Sequence, residues 1–136
     1  LIIIGPGDLY TSLIPNFLVS GVSQAVKKSK AKKVYVCNLM TKYGETHDFC
    51  AEDFVSEIAK YLGRGVLDYA IFNSKSPCPK ILTRYKKERA ELVGPLPNVK
   101  HWMSDKPQYV LADLLAPGSF IRHDHKKLAK VLISLV

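Results

Sequence analysis

The residues of this sequence best suited to holding a ligand stand directly after short apolar runs. Leu1 to Ile4 are followed by Gly5-Pro6-Gly7-Asp8 and then Leu9-Tyr10-Thr11-Ser12; a second run ends at Asn38-Leu39-Met40-Thr41, and a third at Asn73-Ser74. Glycine has no Cβ and tolerates positive φ, so backbone at Gly5 and Gly7 can come close to a ligand. Thr11 and Ser12 add hydroxyls, and the free N–H groups of a helix or turn starting there would suit a phosphate. An ordinary strand-to-helix turn, with Asp8 acting only as a cap, accounts for the same residues equally well. Asp8 also carries negative charge, which repels phosphate unless the carboxylate caps a helix or holds a cation.

Two further groups could carry chemistry. The stretch 38–48 exceeds the usual connection of about 2 to 6 residues, and long connections in compact domains are often functional. It contains Thr41, Glu45, Thr46 and His47. Glu45, His47 and Asp48 match no familiar metal-ligand spacing, so hydrogen bonding within the loop is the simpler account. In Arg122-His123-Asp124-His125, Asp124 reads as the cap of a following helix, which leaves Arg122 beside a helix start as a fork for phosphate. Arg122 has a structural alternative, pairing with Asp113 or Asp124. Covalent catalysis finds no support. Ser12 has no identifiable histidine partner, Cys37 falls in an apolar run, and Cys78 stands between Pro77 and Pro79 without a neighbouring base.

The elements that must position these residues follow from periodicity. Residues 1–4, 34–37 and 69–72 are apolar, rich in β-branched and aromatic side chains, and lack period-2 alternation, as strands buried on both faces do. A helix passes through Val22 to Val26. Another spans 51–62, where Phe54, Val55, Ile58, Ala59 and Leu62 recur at helical spacing before Gly63 and Gly65 end it. Further helices are expected at 79–87 and 125–135, a strand at 109–112, and a loop at 94–107, which is rich in proline and glycine. Strands alternating with helices imply right-handed β-α-β units and a three-layer, Rossmann-like, doubly wound α/β fold with a mainly parallel sheet. Ligands bind such sheets outside the carboxyl ends of the strands, where the residues above stand.

Composition narrows the classes. The 136 residues, 47% apolar and 24% charged, suit one domain portion (1–136) with a real core and no internal boundary. Three cysteines without CxxC spacing argue against a disulfide framework or a zinc knuckle and for reduced thiols in the cytoplasm. No run approaches the roughly 18 apolar residues of a membrane span. The net charge of +8 invites a nucleic-acid reading. Its densest part, Lys27, Lys28, Lys30, Lys32 and Lys33, lies where a helix should end, and cations are favourable there. With no interleaved aromatic residues, a solvated helix end is preferred to a nucleic-acid surface. Leu1 opens in the middle of a buried strand, so an upstream part is expected.

Longer motifs carry a family resemblance. Gly5-Pro6-Gly7-Asp8-Leu9-Tyr10-Thr11-Ser12-Leu13-Ile14-Pro15-Asn16 with Leu18-Val19, then Lys32 through Thr41, Gly44-Glu45-Thr46, Arg84-Tyr85 with Glu88 and Ala90, and Arg122-His123-Asp124 resemble the bacterial gluconeogenesis-factor family. That family is related to the 2-phospho-lactate transferases. The resemblance implies that this chain is the C-terminal part of a longer Rossmann-like domain. It implies UDP-sugar binding, with roles in gluconeogenic growth, cell-wall synthesis and cell shape, and places Tyr85 and Arg122 at the positions of UDP-sugar contacts. The transferase relatives imply an alternative, transfer of a phospholactyl group from a guanylylated donor with magnesium. Asp8 replaces a serine more common in the family, and the family's N-terminal glycine-rich loop and acidic pair are absent. The expected ligand residues are Gly5, Gly7, Asp8, Thr11, Ser12, Asn38, Thr41, Tyr85 and Arg122, and the expected partner is a UDP-sugar or another phosphorylated nucleotide. A homo-oligomer is left open.

Overall fold

The computed structural model of the chain describes residues 1–94 and 107–136. Most of the loop expected at 94–107 therefore lies outside the described residues. Strands β1 (Ile2–Ile4), β2 (Lys33–Val36), β3 (Tyr69–Asn73) and β4 (Gln108–Ala112) form one parallel sheet in the order β1-β2-β3-β4. The order does not reverse among these four strands, so no switch point separates them.

Alternation along β2 divides the core into two layers. Tyr35 faces the same side as Ile4, Ala70 and Phe72, where Leu9, Leu13, Phe54, Ile58 and Leu62 close the packing. Val34 and Val36 face the other side with Ile71 and Leu114, covered by Leu128, Val131, Leu132 and Leu135. The first side is roofed by α1 (Ile14–Leu18), α2 (Val22–Lys28) and α3 (Ala51–Leu62), which pack on one another; the second by α5 (His125–Ser134). Helices on both faces explain why β2 is apolar at consecutive positions, and the three-layer α/β architecture is the one expected. The remaining helix, α4 (Pro79–Lys87), precedes β4.

Local chemistry sets the helix ends. At the start of α3, Cys50 and Asp53 form a reciprocal capping box, and the Cys50 amide donates to Asp53 Oδ2 at 2.8 Å. Gly63 ends that helix at φ +95°. The Asp124 carboxylate accepts from the Lys126 and Lys127 amides and so caps α5 as expected. These bonds, that to Lys127 foremost, hold its carboxyl below the usual carboxylate range. The stabilisation is therefore present above the unfolded carboxyl range, near pH 4, and is lost as pH falls through the folded value. Asp124→Ala is expected to lower the thermal midpoint by a few degrees at pH 7, Asp124→Ser to restore most of it, and the difference to shrink below about pH 4 in a calorimetric pH series.

The lysine cluster is only partly a solvated helix end. Lys27, Lys28 and Lys30 are exposed at the end of α2 or just past it. Lys33, by contrast, is buried in β2 and donates to the Ser29 carbonyl, while Lys32 donates to Leu135 O at 2.9 Å and lies over the Tyr69 ring. These two ammonium groups satisfy carbonyls, and Lys32 ties the end of α5 to the sheet.

Candidate functional site

Because the four strands are parallel, the residues leaving them share one sheet edge. Gly5 leaves β1, Asn38 stands just beyond β2, and Asn73 closes β3. Gly5 takes φ +86°, and a Cβ there would sit 2.7 Å from the Val36 carbonyl oxygen. Only glycine lets the chain turn this close to β2. The turn is then pinned by the Gly7 amide, which donates to Asn38 Oδ1 at 3.1 Å. Asp8 precedes a π-helical turn, Leu9–Leu13, but its side chain makes no capping bond. It meets Lys42 Nζ at 2.8 Å, and Lys42 also meets Glu45 Oε1 at 2.7 Å. The hydrogen bond with Asp8, then that with Glu45, raises the Lys42 ammonium to about 12. Asp8 therefore holds a cation rather than capping the turn.

The long connection after β2 is ordered by a short antiparallel ladder. Thr41 is buried; its amide donates to Glu91 O at 2.7 Å, its hydroxyl accepts from the Glu91 amide at 2.9 Å, and Met40 bridges Leu92. Thr41 thus joins this connection to the segment after α4. Beyond β4, Asn73 Oδ1 accepts from the Leu114 amide at 3.1 Å, Leu115 bridges His123, and the Ala116 amide donates to Arg122 O at 2.9 Å. The resulting hairpin carries Phe120, Ile121 and Arg122 towards α4. There the Ile121 amide donates to Tyr85 Oη at 3.0 Å, and the Phe120 ring lies under both guanidinium groups, 5.4 Å from Arg84 and 5.3 Å from Arg122.

Between these parts lies a cavity of about 690 Å³, bordered by Gly7, Asp8, Asn38, Thr41, Lys42, Tyr85, Glu88, Arg122 and His123. Six of the nine residues expected at the site therefore meet at one cavity: Gly7, Asp8, Asn38, Thr41, Tyr85 and Arg122. Gly5 stands behind the wall as its structural support. Thr11 and Ser12 are exposed on the π-helical turn and do not border the cavity. Arg122 is exposed, and among the described residues its guanidinium pairs with no carboxylate. Asp113 instead pairs with Lys127 at 3.0 Å and Lys75 at 3.6 Å, and Asp124 caps α5. Both structural alternatives for Arg122 are thus taken by other groups.

Lys42 and His123 also border the cavity; His123 belongs to the 122–125 group that could carry chemistry, whereas nothing in the sequence context of Lys42 marks it as a ligand residue. Burial lowers the His123 pKa, against a hydrogen bond to the Cys37 backbone that favours the cation, so the ring is neutral at pH 7. Its Nε2 is buried and has no hydrogen-bond partner among the described residues. The Cys37 thiol is pushed up to about 12 by burial, which removes it as a nucleophile.

The sequence profile of the family described as 2-phospho-L-lactate transferase CofD matches residues 1–110. The chain belongs to the CofD family. It is 44% identical to a putative gluconeogenesis factor of Thermotoga maritima over 97% of this chain and 42% of that protein, and 38% identical to the gluconeogenesis factor of Bacillus subtilis over 100% of this chain and 43% of that one. A crystal structure of a UPF0052 family member from Bacillus halodurans superposes with a TM-score of 0.88 at 33% identity, covering 97% of this chain and 42% of the other. This CofD-family chain thus spans about two fifths of the length of the relatives it matches. No helix among its described residues is long and apolar enough to cross a membrane.

The carboxylates bordering the cavity are Asp8 and Glu88, Asp8 is committed to Lys42, and among the described residues no three His, Cys, Asp or Glu side chains gather around a common point.

Proposed function

We propose that this part of the protein binds a UDP-sugar, or a closely related phosphorylated nucleotide, in the cavity at the carboxyl edge of the sheet. In this reading the whole protein is a cytoplasmic, non-catalytic regulator of gluconeogenic growth, cell-wall synthesis and cell shape. The observation that carries it is the meeting of Tyr85 and Arg122 with Gly7 and Asn38 around one cavity, although they come from four separate stretches of sequence. An unpaired arginine fork suits a diphosphate, and a tyrosine ring suits a base or sugar face. The gluconeogenesis-factor names of the relatives support the physiological part.

Isothermal titration of the full-length protein with UDP-N-acetylglucosamine, with GDP plus magnesium and with NAD tests the reading. Saturable binding of the UDP-sugar alone is the expected result. Binding of GDP only when magnesium is present would replace it with a phospholactyl-transferase reading, which the family description favours.

A further inference from the structure

The cavity has walls of opposite electrostatic character, and we infer that they fix the direction of the bound ligand: Asp8, oriented by Lys42, accepts hydrogen bonds from ring hydroxyls, while Arg122 takes the phosphates. This inference rests on the nucleotide-sugar reading and adds a specificity-determining residue to it. One wall comes from the turn after β1 and the connection after β2, the other from the hairpin after β4.

The charges separate as follows. Lys42 is shared between Asp8 at 2.8 Å and Glu45 at 2.7 Å, so the three groups together carry one net negative charge. The second Glu45 oxygen is buried behind this wall and has no hydrogen-bond partner among the described residues. A phosphate placed here meets repulsion, because one ammonium does not neutralise two carboxylates. At the other wall Arg122 meets no carboxylate among the described residues, and Arg84 shares the Phe120 ring with it. Glu88 also borders the cavity, but it follows the last turn of α4, which carries Arg84, Lys86 and Lys87. The phosphates therefore settle at the Arg122 wall, and the group reaching Asp8 is a neutral donor.

Asp8 has the features of an acceptor for such a group. Its side chain is 43% exposed, Lys42 fixes Oδ2, and Oδ1 has no partner among the described residues. An ionised carboxylate only accepts hydrogen bonds, and its oxygens can bind a pair of adjacent hydroxyls. Both the sugar and the ribose of a nucleotide sugar carry such hydroxyls.

Titration of the full-length protein with UDP-N-acetylglucosamine, UDP and 2′-deoxy-UDP separates the two sources. Wild type is expected to prefer the UDP-sugar over UDP. Asp8→Asn should reduce that preference by about tenfold while leaving UDP affinity equal or higher. Lys42→Met should shift the preference in the same direction with a smaller change, as befits a positioning residue. Collapse of the UDP to 2′-deoxy-UDP ratio instead would assign the ribose hydroxyls to Asp8 and keep the direction of the ligand. The Asp8 side chain makes no capping bond, so thermal unfolding of Asp8→Asn should stay close to wild type. Equal losses for all three ligands, or none, would overturn the inference and leave the UDP-sugar reading standing. A wild-type protein that binds none of them would remove both.

Discussion

Arg122→Ala in the full-length protein is expected to weaken UDP-N-acetylglucosamine binding by about 10 to 150-fold, because a charge-assisted hydrogen bond is worth roughly 1.5 to 3 kcal/mol. The same substitution should change the melting temperature little. In the folded chain the guanidinium lies 5.3 Å from the Phe120 ring centre and, among the described residues, pairs with no acid. Exposed cation–π contacts contribute only about 0.5 to 1 kcal/mol. Tyr85 separates two kinds of contribution, since its hydroxyl accepts from the Ile121 amide and its side chain borders the cavity. Tyr85→Phe removes the anchor of the hairpin that carries Arg122, whereas Tyr85→Ala removes the ring as well. Isothermal titration should therefore rank the losses Tyr85→Phe below Tyr85→Ala. Unchanged affinity in both Arg122→Ala and Tyr85→Ala would sink the assignment of this cavity as the nucleotide site. A large fall in melting temperature with affinity per folded molecule intact would instead make Arg122 a structural residue.

Much of this architecture is legible in the sequence because its signals are local. The apolar runs at 1–4, 34–37 and 69–72 overlap β1, β2 and β3, the expected helices at 51–62 and 79–87 coincide with α3 and α4, and Asp124 caps α5. A buried parallel strand needs only its own side chains to declare itself, and a cap only its neighbours. What escapes a sequence reading depends on contacts between distant stretches. Lys42 reads in sequence as one more loop lysine, and becomes a cavity residue only because the turn after β1 brings Asp8 within 2.8 Å of it. Lys32 and Lys33 resemble the tail of a helix, yet their partners, Leu135 O and Ser29 O, are set by how α5 and β2 pack. Thr11 and Ser12 are close to the glycine turn in sequence, but the π-helical turn leaves them exposed and outside the cavity. The strand order adds a physical reason for where the cavity sits. The order of β1 to β4 does not reverse, and the cavity forms where the hairpin after β4 folds back towards the residues leaving β1 and β2.

Gly5→Ala is expected to cost about 3 kcal/mol of stability, the largest folding effect among the turn residues, through two additive causes. The first is conformational, since φ +86° lies in the left-handed region that a side chain disfavours by roughly 1 to 2 kcal/mol. The second is steric. The new methyl carbon would stand 2.7 Å from the Val36 carbonyl oxygen, and that atom belongs to the backbone of a central strand, so it cannot rotate away as a side chain could. Gly21 provides the control, because it has the same φ of +86° but nothing within 4 Å of where an added methyl group would lie. Gly21→Ala should therefore show only the conformational part, about 1 kcal/mol. Chemical denaturation of both variants gives the difference directly, and the excess for Gly5 measures the closeness of the turn to β2. That closeness also sets the Gly7 to Asn38 bond at 3.1 Å and hence the position of Asp8 at the cavity wall. Gly5→Ala should accordingly weaken ligand binding in whatever fraction remains folded, while Gly21→Ala leaves it unchanged. Equal destabilisation by the two substitutions would mean that the turn has room to move away from Val36, and the rigid placement of Asp8 would lose its basis.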